Sequence, residues 1–253
     1  VVASDDTDVL VMLLYHCHPG SKLYFTTKLK INKNSSETMW WNIDDLKKKL
    51  PIPSNLILFA HAGGGCDTTS ATYGKGKKKI LKYLQTEEGK KSAAIFAKDH
   101  QSQADVGIAG QKVMLSMYGG DSNSTPSQIR FRDWQKIILH KNNIKPEVLC
   151  PTERAIYYHS LRVYLQVCQW RNLDEQIMEV TDWGWSKKDG VLTPIKTDMP
   201  AAPEFITNVI RCNCKITSNN ACGTMRCSCR QIGIPCMKAV SYTHLTLPTR
   251  KLV

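Results

Sequence analysis

One stretch restricts the fold more than any other. An apolar segment, Phe59-Ala60-His61-Ala62, runs into Gly63-Gly64-Gly65, then Cys66-Asp67, then a short polar passage, and ends in Tyr73-Gly74-Lys75-Gly76 followed by Lys77, Lys78 and Lys79. Three consecutive glycines end any helix that enters them, and the Gly-x-Gly turn can take backbone angles closed to other residues. The pattern predicts a helix over 56–61, a hairpin, and a second helix over 77–84, with Ile80, Leu81 and Leu84 facing in and the lysines facing out. Such a turn can aim backbone N–H groups at a phosphate, where Lys75, Lys77, Lys78 and Lys79 add positive charge. The competing reading is a glycine loop followed by a solvated lysine face.

Charge extends this argument to the whole chain. Lys and Arg number 34 against 22 acids, a net charge of +12, which favours a polyanionic partner, and DNA is the first expectation. The 253 residues are enough for one large domain or two small ones. No apolar run reaches the roughly 18 residues of a membrane span and no secretion signal opens the chain, so the location expected is intracellular and nuclear, with no membrane partner.

The first residues, Val1-Val2-Ala3, read as the inside of a strand, and the chain reads as a fragment lacking upstream sequence. Val9 to Tyr15 is a continuous apolar run of strand length, of the kind buried on both faces of a parallel sheet, and Leu23 to Thr27 is a second strand. Met39 to Leu50 is expected to be helical, with Ile43, Leu46 and Leu50 inward and Pro51 and Pro53 as its stop. Residues 87–105 carry no clear pattern. Short helices are predicted over 110–120 and 129–140, a loop over 121–127, and a long helix from Pro151 to Arg171 with Ile156, Leu161, Tyr164, Leu165 and Cys168 on its apolar side. After Trp183-Gly184-Trp185, the passage through Pro194, Pro200 and Pro203 reads as an extended linker.

Four acids stand out. Asp5, Asp6 and Asp8 lie beside the first apolar run and Asp67 follows the glycine run. Carboxylates are the hard oxygen donors that Mg²⁺ takes, and two such ions can stabilise both the attacking and the leaving oxygen in phosphodiester hydrolysis. An acidic cap beside the first run accounts equally well for Asp5, Asp6 and Asp8.

Gly65-Cys66-Asp67 followed by Tyr73-Gly74-Lys75-Gly76-Lys77-Lys78 resembles the helix-hairpin-helix segment of the flap endonuclease family, and Ser4-Asp5-Asp6-Thr7-Asp8 before its hydrophobic run resembles that family's metal-binding strand end. The resemblance implies a PIN-like α/β core with a helical middle. It also implies Asp6, Asp8 and Asp67 as catalytic ligands of Mg²⁺ or Mn²⁺, with Asp5 as a further metal acid. Gly74, Lys75, Gly76, Lys77, Lys78 and Lys79 would contact DNA, and a K⁺ ion would bridge the hairpin carbonyls to phosphate. The family's first metal acids and its phosphate-contacting basic residues have no counterpart here.

Of ten cysteines, Cys212, Cys214, Cys222, Cys227, Cys229 and Cys236 are clustered, in the spacing C-x-C-x7-C-x4-C-x-C-x6-C. Thiolates at this density suit tetrahedral Zn²⁺, a disulfide knot being the alternative. The segment resembles the cysteine-rich repeat of tesmin-like DNA-binding proteins, cut short where Val240 stands in place of the next cysteine. From Val240 to Thr249 the sequence resembles a translated sequencing-library adapter, so residues 240–253 are excluded from the fold.

The expected organisation is an α/β flap endonuclease-like domain over 1–145 with its hairpin near 59–84, a helical segment and linker over 146–205, and a small zinc segment over 206–239. The order of motifs across 1–239 also resembles a group of invertebrate proteins found in repetitive, transposon-like copies. The function expected is metal-dependent, structure-directed DNA cleavage, in a fragment inactive by itself. A catalytically dead DNA-binding or assembly module of the same fold is the alternative, and a purely structural zinc protein leaves the acids unexplained.

Overall fold

The computed structural model describes residues 1–32, 35–121, 123–138, 146–171 and 178–199, with backbone alone for 29–32, 35, 36, 138 and 146. The cysteine cluster, the zinc segment over 206–239 and the adapter-like stretch lie outside the described residues.

The chain opens with strand β1 (Val2–Ala3), helix α1 (Thr7–His16) and strand β2 (Tyr24–Asn32), and β1 pairs in parallel with β2. A parallel pair needs a crossover, and α1 supplies it. The run Val9–Tyr15 is therefore helical and not the strand its composition predicts. A short apolar run does not distinguish the two, and here the flanks decide: Asp6 caps the helix by accepting the Asp8 N–H at 2.8 Å, and Asp8 lies in the first turn. The helix is apolar on nearly all sides because it is wedged between two cores. Leu10, Leu13 and Leu14 meet Phe25 and Ile43 under the sheet, while Val11, Met12 and Tyr15 join the main core.

Strand β3 (Ser35–Asn42) pairs antiparallel with β2, so Met39, Trp40 and Trp41 are strand residues. The predicted helix is confined to α2 (Ile43–Lys48), where the Asn42 side chain accepts the Asp45 N–H. One face of the sheet packs Val2, Phe25 and Trp41 against α1 and α2. On the other, Tyr24 and Trp40 are exposed.

The remaining core is helical. A 3₁₀ turn (Ser54–Leu56) leads into α3 (Ile57–Gly63), every residue of which is buried, and after the glycine loop comes α4 (Lys77–Tyr83), burying Ile80 as expected. Next comes α5 (Glu87–Phe96), in the stretch without a clear pattern, and then α6 (Gln103–Met117), which starts in that stretch and contains most of the helix expected over 110–120. Their starts are set by caps: Thr86 accepts the Gly89 N–H and Ser102 accepts the Asp105 N–H. Helix α7 (Pro126–Ile138) begins inside the predicted loop, with Thr125 and Gln128 exchanging the two hydrogen bonds of a capping box.

Helix α8 (Glu153–Arg171) is the axis of the domain. The five apolar residues expected on its inner side are buried, and so are His159, Ser160, Arg162 and Gln166, because α3, α5, α6 and the segment after α8 surround it. Gly107 and Gly110 of α6 let the two helices approach closely, since a Cβ at Gly110 would lie 1.9 Å from Ser160 Oγ. Past α8, strands β4 (Trp185–Lys188) and β5 (Val191–Pro194) form a hairpin turned by Asp189 and Gly190 at positive φ. Part of the expected linker is thus ordered structure, and Thr197 packs back to hydrogen-bond Thr152 at 2.9 Å. No described helix is long and apolar enough to cross a membrane.

Candidate metal and nucleic-acid site

The acids at the β1–α1 junction have three different local roles. Asp5 accepts the Thr27 hydroxyl at 2.5 Å and the Lys28 N–H at 3.3 Å, which tie the junction to β2. The Thr27 bond first, and then the Lys28 amide, hold its carboxyl below the usual range. Asp6 is the cap of α1, and its own N–H donates to Ser4 Oγ at 3.1 Å. Asp8, in the first turn of α1 and partly buried, meets His61 with 2.5 Å between Oδ1 and Nε2.

His61 is the functional side chain that sequence reasoning missed. It is 4% exposed on α3, in ring contact with Trp170, and burial pushes its basicity down, opposed mainly by the bond to Asp8. A carboxylate can only accept, so the short contact requires the proton on Nε2, donated to Asp8. The signal available in the sequence was a lone histidine in an otherwise apolar helix.

The glycine loop is pinned from beneath. Gly65 N–H donates to Ala62 O, Cys66 N–H to Thr69 Oγ1, and Thr69 Oγ1 to Ala62 O. Thr68 bonds Gln166 of α8, and Ser70 accepts from Arg162 at 3.0 Å. Asp67 is left exposed at the tip of this fixed loop. Burial lowers the basicity of Lys77, opposed by the charge of Asp8 and less by that of Asp67. Lys77 Nζ stands 3.4 Å from His61 Nε2. Asp8 thus lies near the Lys77 ammonium through its contact with His61, while Asp67 makes no ion pair among the described residues.

The hairpin differs in detail from expectation. A tight turn closes it, with Lys75 N–H donating to Thr72 O and Thr72 Oγ1 donating to Lys75 O, and Gly74 has φ +65°. The Lys75 N–H is thus directed inward. The lysines are also not one outward face. Lys75 lies over the Tyr118 ring at 5.1 Å and Lys79 donates to Met117 O at 3.3 Å, while Arg132 donates to Tyr118 O and Gly119 O. These three cations gather at the carbonyl end of α6, where positive charge stabilises the helix. Lys78 is exposed, and Gly76 is exposed with nothing within 4 Å of an added Cβ.

Aspartate oxygens suit a hard cation in sign and in donor type. In the present arrangement, however, no group of three or more His, Cys, Asp or Glu among the described residues stands close enough to hold an ion.

Comparison with known proteins adds no relative: no family model, no curated protein and no solved structure matches the chain.

Proposed function

We propose that the chain belongs to a metal-dependent, structure-directed DNA nuclease with a PIN-like, flap endonuclease-type α/β core. What supports this reading is the contact of Asp8 with His61, whose Nε2 stands 3.4 Å from Nζ of Lys77, the residue that follows the glycine hairpin. An acid that attracts a cation and a turn that admits a phosphate are then adjacent, as cleavage of a DNA backbone requires. Asp6, Asp8 and Asp67 would hold Mg²⁺ or Mn²⁺, and Asp5 would brace the junction against β2. The metal's contribution is Lewis-acid stabilisation of charge on the phosphate oxygens. His61 keeps the Asp8 carboxylate oriented, and Gly74 to Lys79, with K⁺ at the hairpin carbonyls, would contact the DNA backbone. Zn²⁺ on Cys212, Cys214, Cys222, Cys227, Cys229 and Cys236 would form a second DNA-binding element, consistent with a nuclear protein.

One observation favours a second reading, a catalytically inactive DNA-binding or assembly module. It is the absence, among the described residues, of three metal donors in one place. Cleavage of a branched DNA carrying an unpaired flap by the full-length protein, in Mg²⁺ and in Mn²⁺, separates the two. The nuclease reading expects cleavage that is lost in Asp8→Asn and in Asp67→Asn while DNA binding persists. Binding without cleavage in either metal leaves the inactive module, and absence of binding removes both.

A further inference from the structure

The three-stranded sheet has two unlike faces. The inner one packs Val2, Phe25 and Trp41 against α1 and α2. Alternate residues of a strand share a face, so the β2–β3 register puts Tyr24, Thr26 and Lys28 on the outer one beside Thr38, Trp40 and Asn42. A face destined for a second layer of protein reads as a near-continuous apolar run, whereas this surface is polar between its two rings. Those rings are open, Trp40 at 57% exposed and Tyr24 at 41%. Trp40 pairs with Thr26 and Tyr24 with Asn42, which makes the two aromatic residues diagonal neighbours across the ladder. Thr26 is flanked by both, 7% exposed, and its hydroxyl meets no hydrogen-bond partner among the described residues. A hydroxyl buried in that way is costly, and as both donor and acceptor it can answer either kind of group on a base edge. Lys28 is exposed, and no described acid occupies a register position of β2 or β3 on this face. Asp5, the acid beside it, is taken up by the Thr27 hydroxyl and the Lys28 N–H.

We propose that the outer face of the sheet binds single-stranded DNA, with bases stacked on Trp40 and Tyr24, the Thr26 hydroxyl bonded to a base edge and Lys28 at a phosphate. The choice of DNA rests on the nuclease reading above, and the stacking itself does not. Every base has a π-face, so such a surface reads no sequence. A duplex keeps its bases in its own stack and offers the rings nothing. The face therefore selects an unpaired strand, and the loose strand of a branched DNA is the ligand it fits.

The test is fluorescence anisotropy of a labelled oligo-thymidine of about 12 nucleotides, within the usual footprint of single-strand sites, titrated with the full chain without added divalent metal. The same strand paired with its complement is the control. Trp40→Ala should weaken single-strand binding about tenfold, the loss of one base stack, and leave duplex binding unchanged. Trp40→Phe, which keeps a ring, should retain most of the affinity. Thr26→Val keeps the shape without the hydroxyl and should weaken binding about threefold. Single-strand affinity unchanged in Trp40→Ala or in Thr26→Val overturns the proposal and leaves the nuclease reading untouched. An equal loss on the duplex also overturns it, because the ring would then support the fold and not a base. A preference for oligo-uridine of the same length overturns the assignment to DNA. A dimer of the parent that Trp40→Ala abolishes, with DNA binding unchanged, would give the face to a second copy of the chain. The expected losses in a protein that cleaves no DNA would keep this face and remove the nuclease reading.

Discussion

Two groups of glycines serve the molecule in opposite ways. Gly107 and Gly110 on α6 face α8, where an added Cβ would stand 2.6 Å from the Tyr157 ring and 1.9 Å from Ser160 Oγ. Gly76 in the hairpin has ordinary extended angles, φ −72° and ψ −174°, and open space around it. Packing explains the first pair, whereas Gly76 is the N-cap of α4 with nothing packed against it. On the proposed reading, that open space is where a sugar-phosphate backbone would approach the hairpin.

Substitution sharpens this contrast. Gly110→Ala should be the most damaging change, costing about 1–3 kcal/mol by overpacking. Thermal unfolding would read it as a Tm lowered by several degrees, although alanine on an open helix face stabilises by up to about 1 kcal/mol. Comparable or raised stability would show that α6 and α8 are not in close contact.

His159, behind that interface, should give a pH effect of similar order. Complete burial first, and the neighbouring Arg162 next, push its basicity down to about 4 from an ordinary 6.5. The folded state therefore keeps His159 neutral while the unfolded chain takes up a proton, so its contribution is whole above pH 6.5 and is lost as pH falls toward 4. The loss is on the order of 3 kcal/mol. His159→Gln should flatten the fall in denaturant stability across that window, and an unchanged slope would mean the imidazole is hydrated in the native state.

The smallest effects on stability belong to the hairpin. Gly76→Ala and Lys78→Glu should each change unfolding free energy by no more than about 0.5 kcal/mol. Both should weaken DNA binding, and Lys78→Glu should also lower the salt slope by about one, since one phosphate contact releases its counterion. Normal DNA affinity in both variants would reduce the hairpin to a solvated turn and erase the difference between the two glycine groups.

How far the sequence revealed this arrangement depended on whether neighbours or flanks decided the structure. The 3.6-residue period of α8 and the glycine punctuation around α3 and α4 are local, and those helices stand where expected. Helix α1 was obscured because it touches two cores and shows no polar face. The β4–β5 hairpin had its Asp189-Gly190 turn in plain view, but the prolines around it suggested an extended path. Asp8 and Asp67 were legible through resemblance alone. The path of Lys77 over the glycine run was not legible, because it depends on the missing Cβ of Gly64 and on His61, which only folding brings near.

The central claim is that the β1–α1 junction and the tip of the glycine loop form one cation site. Mn²⁺ added to the isotopically labelled, zinc-saturated chain tests it most directly, because the ion broadens amide resonances in its neighbourhood. The account predicts simultaneous broadening at residues 6–8 and 66–67. Broadening at one segment alone, or at neither, would contradict it.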